Sequence, residues 1–182
     1  MRLPPELWRS CRTVACESRL ELLWNVFEQG ELSVNEARLL VGLSQPCVSA
    51  QLRGLADRGL LISRREDMRV IYRAEANSTM AFSGEILDAL RVCYERSVSF
   101  KTIIRQATGF THQRRIEIVR ALNGRSLSFL ELWGVTGMSL AALSRHLDKL
   151  ERRGFVKESG AVYRIGGSGN ALGRTLLKLA RG

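Results

Sequence analysis

GLSQPCVSAQLRGLADRGLL, residues 42–61, decides the reading of this 182-residue chain. Leu43, Val48, Leu52 and Leu55 fall along one side of a helix, while serine, glutamine and arginine occupy the other. Ser44 stands where an N-cap is wanted, Pro46 falls in the turn that tolerates a missing N–H, and Gly59 supplies a left-handed stop. Such a helix is fixed through its seam and leaves a polar face free.

The same pattern returns further along the chain. GMSLAALSRHLDKLERRGFV, residues 137–156, aligns with it without a gap: Gly42 matches Gly137, Ser44 matches Ser139, Ser49 matches Ser144, Leu52 matches Leu147, Leu55 matches Leu150 and Gly59 matches Gly154. LSVNEARLLVGL matches LSFLELWGVTGM at the same offset, and RLELLWNV matches RIEIVRAL once a residue or two of loop is allowed. Each copy therefore predicts a helix, then a short helix opened by a capping box at Ser33 and Glu36 or at Ser128 and Glu131, then the stretch quoted above. A two-stranded hairpin follows in LLISRREDMRVIYRA, turning at 66–68, and in FVKESGAVYRI, turning at Ser159 and Gly160, with Tyr72 and Tyr163 in equivalent places. Residues 79–107 predict further helix broken near 97–99, and residues 169–181 a closing helix.

The expected fold is mainly α with small β-hairpin wings: a first winged helix-turn-helix domain over 1–78, connecting helices over 79–110, and a second such domain with a C-terminal helix over 111–182. Leu87, Leu90, Val92, Ile103, Ile104, Leu172, Leu176 and Leu177, with residues 5–18, are expected to build the pairing interface.

Charge points to the partner. The chain carries a formal +10 and a pI near 10.3, a balance suited to a polyanion, nucleic acid before anionic membrane. Residues 1–78 hold eleven basic and ten acidic side chains, residues 79–110 four and three, and residues 111–182 thirteen and five, so the second copy should dominate nonspecific DNA affinity. No long apolar run and no signal-peptide centre occur, and a cytoplasmic location is expected. Cys11, Cys16, Cys47 and Cys93 are few and irregularly spaced, so reduced, buried structural thiols are expected, with a thiol site assembled between distant segments as the open alternative.

The stretch LSVNEARLLVGLSQPCVSAQLRGLADRGLLISRREDMRVIYRA resembles the DNA-binding core of the bacterial ArsR/SmtB repressor family, with its serine-glutamine-proline start to the recognition helix, leucine seam, glycine stop and basic wing ending in tyrosine-arginine. The likeness is close over residues 19–75 and looser over 112–166. It implies double-stranded DNA as partner, with base-reading positions at Ser44, Gln45, Ser49 and Gln51 in the first copy and Ser139, Leu140, Ser144, Arg145 and His146 in the second. Arg53 and Lys149 lie on the same helices. Arg64, Arg65 and Arg69 of the first wing, and Lys157 and Arg164 of the second, become candidates for phosphate or minor-groove contact. Arginine grips guanine and glutamine pairs with adenine, so the two copies should prefer different half-sites in an imperfect palindrome.

Members of that family pair as dimers of one-domain chains, so two copies in one chain imply either an intramolecular pseudo-dimer, with recognition helices about one DNA turn or roughly 34 Å apart, or a homodimer of four domains. The family's usual metal ligands are missing: Ser33 and Asn35 stand where metal sensors carry cysteines, and residues 79–105 hold no histidine. His112 and His146 have no partner at zinc spacing, and His146 is read as part of the recognition helix. GGSGNALGRT at 166–175 lacks the glycine and lysine of a phosphate loop. No cofactor, no metal and no catalytic constellation is expected. The expected function is a sequence-specific DNA-binding regulator, a repressor, with a winged-helix protein-interaction scaffold as the alternative.

Overall fold

The computed structural model describes residues 7–167 and 169–182. The opening helices α1 (Leu7–Val14) and α2 (Glu17–Gln29) lead into a short strand β1 (Glu31–Ser33), followed by α3 (Val34–Val41), α4 (Gln45–Ala56) and the hairpin β2 (Ile62–Glu66) and β3 (Arg69–Arg73). The helices α5 (Ser83–Glu95) and α6 (Phe100–Ala107) come next, and the order then repeats as α7 (Gln113–Ala121), β4 (Leu127–Ser128), α8 (Phe129–Thr136), α9 (Leu140–Arg152), β5 (Val156–Ser159), β6 (Val162–Ile165) and α10 (Ala171–Arg181). The expected break at 97–99 lies between α5 and α6.

Local chemistry explains the matching elements. Both capping boxes form: Ser33 and Ser128 each accept from the N3 amide, and Glu36 and Glu131 each return a carboxylate to the cap N–H. Both α4 and α9 end in one Schellman arrangement, with Leu60 N donating to Leu55 O (3.1 Å) and Gly59 N to Ala56 O (2.8 Å), then Phe155 N to Leu150 O (3.0 Å) and Gly154 N to Glu151 O (2.8 Å). Ser139 caps α9 by accepting from Ala142 N, but the Ser44 side chain makes no cap bond. Pro46 at the start of α4 removes one of the amides such a cap would serve.

Each hairpin gains a third strand that the sequence did not announce. β1 pairs with β3 so that Leu32 faces Tyr72, and β4 pairs with β6 so that Leu127 faces Tyr163. The two tyrosines are thus equivalent although the second wing is shorter. The added strand ties each wing to the start of the short helix, as a marginal hairpin requires.

The repeat reaches further back than the residue identities suggest. Leu7, Ser10, Cys11 and Val14 of α1 are buried, and so are Ile103, Gln106, Ala107 and Phe110 in and after α6, at one constant offset. Arg19 donates to Thr13 O (3.4 Å), and Arg115, at that same offset, donates to Gly109 O (2.7 Å).

The halves meet through their outer helices. α5 packs on α10 and α1 on α6, while α1 also touches α7 and α2 touches α6. The last two contacts exchange if the halves are interchanged. Of the residues expected at a pairing interface, Leu87, Leu90, Ile103, Leu172, Leu176 and Leu177 are buried, Val92 and Ile104 are half-buried, and residues 5 and 6 lie outside the described residues. The symmetry is imperfect: α10 lies closely on α6 and α7, whereas α5 meets α2 through a ring cluster of Trp24, Phe27 and Tyr94, with Phe100 of α6 edge-on to Trp24 at 5.5 Å. Among the described residues no helix is long and apolar enough to cross a membrane.

Candidate nucleic-acid interface

The helices α4 and α9 are held as their seams require. Val48, Leu52 and Leu55 of α4, and Leu143, Leu147 and Leu150 of α9, are buried. Facing away from these seams, Ser44, Gln45, Ala50 and Arg53 are exposed in the first half, and Ser139, Leu140, Ala141, Ser144 and Arg145 in the second. Ser49 is half-buried, and Arg53 and Arg145 each fold Nε back to a carbonyl of their own helix, Ser49 O and Ala141 O. These are flanks a major groove can receive.

Two sequence-derived candidates sit elsewhere on these helices. Gln51 and His146 occupy the same position of α4 and α9, and both are half-buried. The Gln51 Oε1 is buried with no hydrogen-bond partner among the described residues. The His146 ring packs on His112, with centroids 4.6 Å apart. The two histidines, which have no partner at zinc spacing in the sequence, are neighbours in space, and His146 seats α9 on the start of α7. His112 caps α7, its Nδ1 accepting from Arg114 N.

Their surroundings are cationic. Burial and the charges of Arg115, Arg12 and Arg114 depress His112, with Glu117 the opposing acid. Burial, His112, Arg115, Arg145 and Arg114 push His146 down to about 4. Both rings are accordingly neutral at neutral pH. Lys149 is half-buried, its ammonium disfavoured by burial and by Arg153, Arg115 and Arg152. Arg12 belongs here as well, although nothing in its local pattern announces it: it crosses from the first half, donating Nε to Thr111 O at 3.2 Å. Arg115, 8% exposed, pins the turn before α7 with bonds to Gly109 O, Thr108 O and Thr111 Oγ1.

The wings differ in how freely they offer charge. Arg64 is exposed but turned onto carboxylates, with Nη1 and Nη2 on Glu31 at 2.8 and 3.0 Å and Nε on Glu66 at 2.8 Å. Arg65 and Arg69, and Lys157 and Arg164 of the second wing, are exposed. Arg73 pairs with Glu75.

Residues 112–158 match the family described as bacterial regulatory protein, arsR family. The matched stretch runs from the α7 cap through the short helix and the recognition helix into β5. This part of the chain is thus a helix-turn-helix of the kind carried by DNA-binding transcriptional regulators, a family of regulators rather than enzymes. The match falls on the second half, although the sequence likeness was expected to be closer in the first. No curated protein matches the chain.

The described residues hold no group of three or more potential ligands able to bind a metal. Cys11 and Cys93 are buried, and burial raises both thiols; Cys16 and Cys47 are half-buried, so the expectation of buried thiols fits two of the four. Ser168 of the rejected phosphate loop lies outside the described residues.

Proposed function

We propose that the chain is a repressor that binds one operator with α4 and α9 together, as an intramolecular pseudo-dimer working in the cytoplasm. In this reading the first unit runs to the end of α5 and the second starts at α6, so residues 79–110 are shared between the units. The observation that carries it is the regulator match over residues 112–158, on a helix whose polar flank is exposed. The reciprocal packing of the outer helices supports the pairing. The excess of basic residues in 111–182 supports a phosphate partner for the second unit.

Selection of bound duplexes by the intact chain tests this. The expected product is two unlike half-sites about one helical turn apart, occupied by one chain. A product bearing four half-sites would assign the true homodimer instead. A second reading, a scaffold that binds protein, draws on the near-neutral first unit and on Leu39 and Leu40, which stand exposed on α3. It predicts that no motif is enriched and that binding vanishes as salt rises.

A further inference from the structure

The first turn of α9 presents almost no hydrogen-bonding side chain. Ser139 is occupied as the cap, its Oγ accepting from Ala142 N at 3.3 Å. Leu140 follows at the first helical position with 52% of its surface exposed, and exposed Ala141 comes next. Ser144 and Arg145, one turn on, supply the polar reading groups. At the place of Leu140 the first unit carries exposed Gln45, whose amide can both donate and accept.

Residues at the start of a recognition helix approach base edges most directly. A leucine pressed against the donors and acceptors of adenine, guanine or cytosine would strip them of water and return nothing. Thymine alone among the four bases turns an apolar group, its C5-methyl, into the major groove. From this, and resting on the assignment of α9 as a DNA reader, we propose that Leu140 is a specificity-determining residue that recognises a thymine methyl group. The two half-sites then differ in kind: the base under Gln45 is chosen by hydrogen bonds, and the base under Leu140 by contact with a methyl group. Arg145, exposed one turn on, can grip a guanine in the same half-site.

The test uses the full chain and the motif it selects. Each thymine is replaced in turn by deoxyuridine, which removes one methyl and leaves every hydrogen-bonding group in place. One replacement, in the half-site read by α9, should weaken binding about fourfold. In Leu140→Gln that replacement should have no effect, and the preferred base there should become adenine. Because Leu140 is exposed, the variant should melt with the parent. A motif in which every thymine tolerates uracil in the parent chain overturns this inference alone. A chain that selects no motif overturns it together with the DNA-reading function.

Discussion

Gly59 and Gly154 end α4 and α9 with the same backbone bonds, yet a methyl group added at each meets different surroundings. Both have left-handed φ, +69° and +82°. Either alanine variant therefore carries the left-handed penalty, roughly 1–2 kcal/mol. At Gly154 the added carbon lies 3.5 Å from Gly167 O, an ordinary contact. At Gly59 it would lie 2.8 Å from Met80 Cβ and 3.0 Å from Ser83 Cβ, atoms that no side-chain rotation can withdraw. Overpacking of that sort adds roughly 1–3 kcal/mol. Gly154→Ala should lower the melting temperature by roughly 2–8 °C and Gly59→Ala by roughly 4–20 °C, at about 2–4 °C per kcal/mol for a chain of this size. Asparagine separates the two costs, because it tolerates the left-handed region but still brings a Cβ. In thermal or urea unfolding, Gly154→Asn should recover most of its loss and Gly59→Asn should not. Equal losses for the two alanine variants, or a native-like Gly59→Asn, would refute the reasoning.

Arg145→Ala should cost about 1–3 kcal/mol of DNA binding and relax one base position, whereas Lys157→Ala should weaken all sequences alike and reduce the salt slope by about one; titrations against the selected motif and its single-base variants check both. Arg64→Ala should weaken DNA binding less than Arg65→Ala, since Glu31 and Glu66 already engage its donors; Glu31→Gln should instead tighten binding, and equal effects of the two arginines would count against the ion pairs as the cause. His112 and His146 both titrate below the ordinary histidine value of 6.5, so the unfolded chain binds more protons than the folded one on the acid side of that value. The part of the stability that rests on these two rings should be full above pH 6.5 and be lost as pH drops towards about 4; His146→Gln, which installs the residue of the first unit, should reduce the loss over that window in urea unfolding at stepped pH.

Much of this fold was legible because its signals are local. Capping residues, helical seams and glycine stops act within a few positions, and their recurrence at a fixed offset exposed the second set of elements. The likeness of α1 to α6 was hidden, since only burial is shared: serine faces glutamine and cysteine faces alanine across it. β1 and β4 are two or three residues long, too short to show alternation, and exist because a hairpin strand lies alongside. Outward flanks could be read from helical geometry. The seats of Gln51 and His146 could not, because whether a polar side chain at the edge of a seam meets solvent depends on the helix packed beside it. Arg64 shows the same limit, since Glu31 reaches it from the far side of a strand.

If the two halves pair on one operator as proposed, joining them through α5 and α6 makes their association a first-order event. Dilution cannot separate them, no exchange with other chains can scramble them, and occupancy of a target would follow the first power of protein concentration rather than its square. Covalent union also removes the demand that one surface fit itself. Each half can drift to suit a different stretch of ligand, and the excess cationic charge collected in just one of them is what such freedom permits.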